Sequence, residues 1–240
     1  MSLLEIACFT AESAVTAWKA GADRIELCDE QGKGGTTPSL QTVVKVKQHV
    51  RVPVFIMIRP RGGDFYYSKL EFEGMLADID KFKPYADGFV FGVLSASSDV
   101  DIERTSALVR RAAPRPCTFH RAIDATKDIQ KSLEDVIATG CRAVLSSGSC
   151  VDAGAGASAL ADLVRQAQHR IIVMPGGGVR TANLAEILQV TGAAAFHSSG
   201  ITSKRAVVDV EEIAQMRHIL RSTTDERTNT TVTIKVTARA

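Results

Sequence analysis

The chain has 240 residues, 45% of them hydrophobic, which is one domain's worth of sequence and enough apolar side chain to bury a core without disulfides or metals. Its 29 basic residues nearly balance 27 acidic ones, and the net charge of +2 lies in the tail after Leu220, where Arg221, Arg227, Lys235 and Arg239 outnumber Asp225 and Glu226. A neutral body disfavours nucleic acid and an anionic membrane as main partners, because both need clustered Lys and Arg, and leaves a small molecule or an ion.

Short β-rich runs alternate with longer amphipathic ones. The first strand is predicted over Leu4 to Phe9, followed by a helix after Thr10 with Ala14, Val15 and Trp18 at helical spacing and a stop at Gly21. The second runs from Arg24 to Cys28; Gly34 to Ser39 then leads into a helix for which Thr37 and Pro38 suit the N-cap and first helical position. The third, Pro53 to Arg59, is followed by the loop Arg61-Gly62-Gly63-Asp64, read as mobile, and by Ser68 with Glu71 at capping-box spacing. Strands four to six are Gly88 to Leu94, Cys117 to Arg121 and Ala143 to Ser147, with Gly140 ending the helix between the last two. The seventh, Arg170 to Met174, opens onto Pro175-Gly176-Gly177-Gly178 and a helix bearing Leu184, Ile187 and Leu188 that stops at Gly192. Ala193 to His197 is the eighth, with Ser198-Ser199-Gly200 beyond it and a last helix after Val208.

Eight βα units in about 220 residues predict a single TIM-type (β/α)8 barrel over residues 1–221, with a threonine-rich, flexible tail over 222–240. A doubly wound open sheet is the alternative; against it, no strand is followed by a complete GxGxxG, and the glycine-rich segment comes at the seventh strand. No run approaches the roughly 18 apolar residues of a membrane span, and Met1 to Cys8 lacks the pattern of a signal peptide, so a cytoplasmic location is expected. The cysteines at 8, 28, 117, 141 and 150 contain no CxxC pair, which suggests mostly buried thiols rather than disulfides or a zinc ribbon.

In such a barrel the strand ends and following loops form the site. Period-2 geometry puts Glu26 with Cys28, Met57 with Arg59, and Thr118 with His120 on single faces. If these point inward, Glu26, Arg59 and His120 converge, with Glu5 and His197 as additions and Arg61 and Asp124 on the loops. A histidine and a carboxylate there suit acid/base work, and an arginine suits an anion. The plain alternative is a buried structural network in which Glu5 and Glu26 pair with Arg59 or Arg61. Gly176, Gly177 and Gly178 with Ser198 and Ser199 form a candidate anion site, since loops seven and eight are where this fold holds phosphate; a mere tight turn is the alternative. Gly34 to Ser39 is a weaker anion candidate. A divalent-metal site of Glu26, His120 and His197 is a further option.

Five strings are more specific: Arg24-Ile25-Glu26-Leu27-Cys28, Gly34 to Ser39, Met57 to Phe65, Thr118-Phe119-His120-Arg121-Ala122 and Met174 to Gly178. In this order they resemble the CutC family of copper-homeostasis proteins, from Leu4 to about Gly200. The resemblance implies a TIM barrel, a cytoplasmic homo-oligomer and Cu(I) bound by two cysteines. One would be Cys28. The other belongs two residues after the first-strand glutamate, where this chain has Ala7, with Cys8 displaced by one onto the opposite face unless the strand bulges. After strand eight this chain also lacks the longer loop with an Arg-Asn pair of many members, for which Lys204 and Arg205 are the available cations. Two functions follow: a Cu(I) buffer or carrier through Cys28, perhaps with Cys8, or an enzyme on a small anionic molecule, with His120 and Glu26 as acid/base groups and Arg59 and Arg61 as clamps.

Overall fold

The computed structural model describes residues 2–202 and 207–222. Lys204, Arg205 and the expected tail beyond Ser222 lie outside the described residues. The elements follow in strict alternation: β1 (Leu3–Cys8), α1 (Ala11–Lys19), β2 (Arg24–Leu27), α2 (Leu40–His49), β3 (Val54–Met57), α3 (Lys69–Phe82), β4 (Gly88–Phe91), α4 (Ile102–Ala112), β5 (Cys117–Phe119), α5 (Ile129–Ala138), β6 (Ala143–Ser146), α6 (Ala157–Ala167), β7 (Ile172–Pro175), α7 (Thr181–Thr191) and β8 (Ala195–Ser198). A last helix, α8, covers 210–222.

Each strand pairs in parallel with its sequence neighbour from β1 to β7, and β8 pairs with β1 and lies against β7. A doubly wound sheet would reverse its strand order at a switch point; this one never does, so it is a nearly closed (β/α)8 barrel. Alternation along the strands makes two apolar layers. Ile6, Cys8, Ile25, Leu27, Ile56 and Phe89 face the helices and meet Ala14, Val43, Val46 and Ile79 in the main core. The barrel interior holds smaller groups, Cys28 with Phe55, Met57 and Val90, and Leu145 with Met174 and Ala195. Each fully buried Leu, Ile or Phe contributes roughly 1.5–3 kcal/mol, so the outer layer carries most of the stability and leaves the interior free to hold polar groups.

The helix starts obey local chemistry. Ser68 and Glu71 form the predicted capping box, and Gly192 ends α7 in a left-handed conformation at φ +62° that suits glycine. The start of α2 is different from expectation: Ser39, not Thr37, is its N-cap. An antiparallel bridge between Asp29 and Thr36 turns the preceding chain into a small hairpin, and Thr37 instead accepts a hydrogen bond from the Arg59 amide (2.9 Å). Loop two is thereby fastened to loop three at the barrel mouth.

Candidate functional site

The strand register builds the floor of a cleft. Glu5 stands opposite both Arg24 of β2 and His197 of β8, and Ala7 stands opposite Glu26. On this inward face Arg24 Nε donates to Glu5 Oε2 at 2.5 Å and His197 Nδ1 bonds Glu5 Oε1 at 2.8 Å. His197 Nε2 lies 3.7 Å from Glu26 Oε2, which accepts the Cys28 thiol at 3.5 Å. The buried network anticipated in the sequence is therefore real, but its cation is Arg24, not Arg59 or Arg61.

Environment drives these groups in different directions. Burial raises the Glu5 pKa, but Arg24 and His197 outweigh it and hold the carboxyl below its usual range. Glu5 is then an acceptor only, which places a hydrogen on His197 Nδ1. Burial raises Glu26, and the Glu5 charge adds to the effect despite His197. Burial lowers His197, yet the Glu26 and Glu5 carboxylates prevail and raise it. The gap of 3.7 Å from Nε2 to Glu26 is too long for a good direct hydrogen bond.

His120 is the opposite case. Its ring is pushed down to about 3, first by burial and then by the neighbouring Arg59 guanidinium. Nδ1 accepts from the Ala122 amide (3.2 Å), so the neutral ring carries its hydrogen on Nε2. The backbone of Gly92 makes room for it: a Cβ there would lie 2.5 Å from Nδ1. Among the described residues His120 Nε2 has no hydrogen-bond partner.

The cleft, of about 230 Å³, is lined by Glu26, Cys28, Arg59, His120, His197, Gly177, Gly178, Ser198 and Ser199, all named from the sequence, with Phe9, Met57, Phe65 and Leu145 as its apolar wall. Other expected residues do different work. Arg59 donates through Nη1 to the carbonyls of Lys33, Gly34 and Gly35 and through Nη2 to that of Gly63, so it ties loops two and three rather than standing free as a clamp. Arg61 turns away from the cleft to Glu71 (2.6 Å), Asp64 and the Tyr66 carbonyl, because it lies beyond the strand whose period fixed Arg59 inward. Asp124 accepts from Arg121, Ser146, Ser147 and Ser149 and so fastens loops five and six, lining an adjoining space at the rim with Arg59, Phe65 and Arg121. In Gly34 to Ser39 the amides of Gly34 and Gly35 are used by Gln31 and Glu30, and α2 is capped by Ser39, so this loop is no anion cradle.

At the other rim, the Gly176 amide donates to Ser146 and the Ser198 hydroxyl to Val179, which removes both from the candidate anion set. Gly177, Gly178 and Ser199 remain. Sequence reading missed three cations. Arg24 shares the inward face of β2 with Glu26 by the period-2 rule already applied there. Arg121 follows His120, and Arg180 follows the glycine run by two residues; both line the cleft.

Atoms of Glu5, Glu26 and His197 lie within 4.8 Å of one another, the spacing of a cation site, with Glu5 in the place expected of His120. Arg24 and the Nδ1 hydrogen already satisfy Glu5, leaving only Glu26 and Nε2, which does not fit the ligand count of a closed divalent site.

The model of the CutC family matches residues 2–202, a span that includes every residue of this cleft. The chain belongs to the CutC family. The Homo sapiens copper homeostasis protein cutC homolog is 47% identical over 203 residues, covering 84% of this chain and 74% of that protein. A crystal structure of the putative copper homeostasis protein CutC from Streptococcus agalactiae superposes with a TM-score of 0.79 at 33% identity, over 84% of this chain and 100% of that one. Phosphoribosyl anthranilate isomerase from Thermotoga maritima superposes with a TM-score of 0.62 at 16% identity, over 92% and 100%, which establishes the common barrel alone.

The Cu(I) expectation for a CutC protein concerns Cys28 and Cys8. The β1–β2 register runs from Glu5 to Cys8 without a bulge. Cys8 therefore belongs to the outer layer and Cys28 to the inner one, although the Cys28 amide bonds the Cys8 carbonyl (2.9 Å). The inward position beside Glu26 is the methyl of Ala7. Cys28's soft neighbour is instead Met57: both pack against Gly35. Burial, then the adjacent Glu26 carboxylate, raises the Cys28 thiol well above its ordinary pKa, and Cys8 is raised likewise by burial.

Proposed function

We propose that this CutC protein is an enzyme that transfers protons on a small anionic molecule held in the cleft. The observation that carries this is geometric: Glu26 Oε1 and His120 Nε2 are buried with no hydrogen-bond partner among the described residues, and Glu26 Oε2 lies 3.7 Å from His197 Nε2, whose ring Glu5 and Arg24 hold in place. The opposite directions in which their surroundings drive the two carboxylates and the two histidines agree with separate acid and base roles. In this reading Glu26 moves the proton, His197 exchanges it, Glu5 and Arg24 fix the His197 ring, and His120 offers its Nε2 hydrogen to an oxygen of the ligand. Free thiols at all five cysteines support placing it in the reducing cytoplasm. The exposed apolar side chains Leu70 and Ile102 at the starts of α3 and α4 support a homo-oligomer.

The test is solvent deuterium incorporation, followed by proton NMR, into a panel of small carbonyl compounds bearing carboxylate or phosphate. Wild type is expected to exchange at least one of them, and Glu26→Gln to slow that exchange about 10²-fold or more with an unchanged melting temperature. Equal rates in the two proteins, or no exchange in any compound, would overturn the proposal.

A second reading treats Cu(I) as cargo bound by Cys28, and the neighbouring Met57 thioether is the observation in its favour, since Cu(I) prefers soft sulfur. Competition against a Cu(I) chelator should then show one-to-one binding that Cys28→Ser abolishes and Cys8→Ser leaves intact, because Cys8 faces the other layer. Binding lost equally in both variants would mean that β1 rearranges. Binding changed by neither would remove Cys28 as the ligand.

A further inference from the structure

We infer that the rim between β7 and β8 is a seat for the phosphate group of a phosphomonoester. This deepens the anionic-substrate reading above and rests on it for the role of the cleft floor. The seat begins with backbone. Gly177 and Gly178 adopt φ of +90° and +75°, a left-handed conformation that suits glycine and turns successive amides to one side. Among the described residues the amides of Gly177, Gly178 and Ser199 donate to no protein group, whereas their neighbours Gly176 and Gly200 are both engaged. The three residues that carry these unengaged amides come from two loops and all line the same cleft.

The charge comes from Arg180. Its guanidinium is held by the Val179 carbonyl (2.7 Å), Ser198 Oγ (2.9 Å), Ser199 Oγ (3.0 Å) and the Ile201 carbonyl (3.0 Å). These four neutral acceptors take the hydrogens of Nη1 and Nη2, so Arg180 offers an anion its uncompensated charge and its Nε hydrogen rather than a free guanidinium fork, and among the described residues it pairs with no carboxylate. A second guanidinium, that of Arg121, packs on Gly177 so closely that a Cβ there would lie 3.0 Å from its Nη1. Arg121 is partly neutralised by Asp124 through Nε (2.9 Å), while Nη2 is held by Ser147. One uncompensated cation and one half-compensated cation thus flank a strip of unengaged amides. A dianion with three terminal oxygens matches that donor set better than a planar carboxylate with two. The helix terminus is not part of the seat: the first amide of α7, Thr181, is already taken by the Glu212 carboxylate (2.7 Å).

The two ends of the cleft then set the ligand's form. Its phosphate sits against Gly177, Gly178 and Arg180, and its reacting portion reaches Glu26 and His197 across the apolar wall of Met57, Phe65 and Leu145. A phosphorylated molecule of only a few carbons fits a space of about 230 Å³.

The experiment is a calorimetric titration of the full chain with inorganic phosphate, with acetate as competitor. Saturable binding is expected, weakened about 10- to 10²-fold in Arg180→Ala, less so in Arg180→Lys, and unchanged in Glu26→Gln. Arg180→Lys keeps the charge and guards against misfolding of the alanine variant. Affinity equal in wild type and both Arg180 variants, displacement by acetate as effective as by phosphate, or no saturable binding would overturn the seat. Phosphate binding that depends on Arg180, without deuterium exchange in any compound, would leave the seat standing and remove the proton-transfer reading.

Discussion

Arg24→Ala is expected to lower the unfolding free energy by about 3–5 kcal/mol, the range for stranding one member of a buried ion pair. Glu5 has no exposed surface and the Arg24 side chain is 11% exposed, so solvent does little to screen either charge. Without Arg24, Glu5 keeps only the His197 hydrogen, inside a barrel whose adjacent side chains are apolar or, like Glu26, acidic. Removing both charges should cost much less: Arg24→Met combined with Glu5→Leu is expected to recover most of the loss, since hydrophobic replacement of a buried pair is often neutral. Urea unfolding at pH 7 measures both. A loss under 1 kcal/mol in the single variant would mean that Glu5 relaxes to water or is protonated, and that the polar floor is not rigid.

The second large effect is a pH dependence. Folded His120 is held at about 3, against 6.5 for a free imidazole. As pH falls through 6.5 the unfolded chain takes up a proton that the folded chain refuses until about 3. The stability associated with this ring is therefore complete above 6.5 and drains away below it, by about 2 kcal/mol at pH 5. His197 works in the opposite sense: its folded pKa is raised, so its contribution is present below 6.5 and is lost as pH rises through the folded value. The two partly cancel in wild type, so the difference between proteins is the useful quantity. Between pH 7 and pH 5, His120→Gln should lose about 2 kcal/mol less than wild type. Parallel losses would show that His120 titrates normally, and the neutral-donor role would fall with it.

The barrel was legible because its signals are local. Strand period, capping residues such as Ser68 with Glu71, and stops such as Gly192 lie within a few positions of one another, and alternation put Glu26, Arg59 and His120 each on one face of its strand, the faces that line the cleft. What it missed depends on distances in space. Nothing near Glu5 in the sequence indicates that Arg24 and His197 are its partners; that follows from the β1–β2 and β1–β8 register. Thr37 carries a sound N-cap pattern, yet the Asp29–Thr36 bridge delays the helix to Ser39. Arg61 and Asp124 are charged residues on the right loops whose partners, Glu71 and the Ser146–Ser147 pair, hold them for structural work. Cys8 was the reverse: the same period-2 rule predicted its outward face, and the unbroken register put it there.

The grip of α8 on α7 bears on how the protein is made. Glu212 bonds the Thr181 amide, and its carbonyl accepts the Thr181 hydroxyl, while Arg180 next door reaches the Ile201 carbonyl beyond β8. Glu212 and Ile201, which steady the proposed seat from behind, thus come from the last sixth of the described chain, and β1, synthesised first, waits for β8 before its own outer edge is paired. A nascent chain on the ribosome would hold the acidic Glu5 and Glu26 without His197 until translation reaches β8. A chain truncated before β8 would therefore leave β1 with an open sheet edge, whereas one truncated between β8 and α8 would keep that edge paired and lose only the hold of Glu212 on α7.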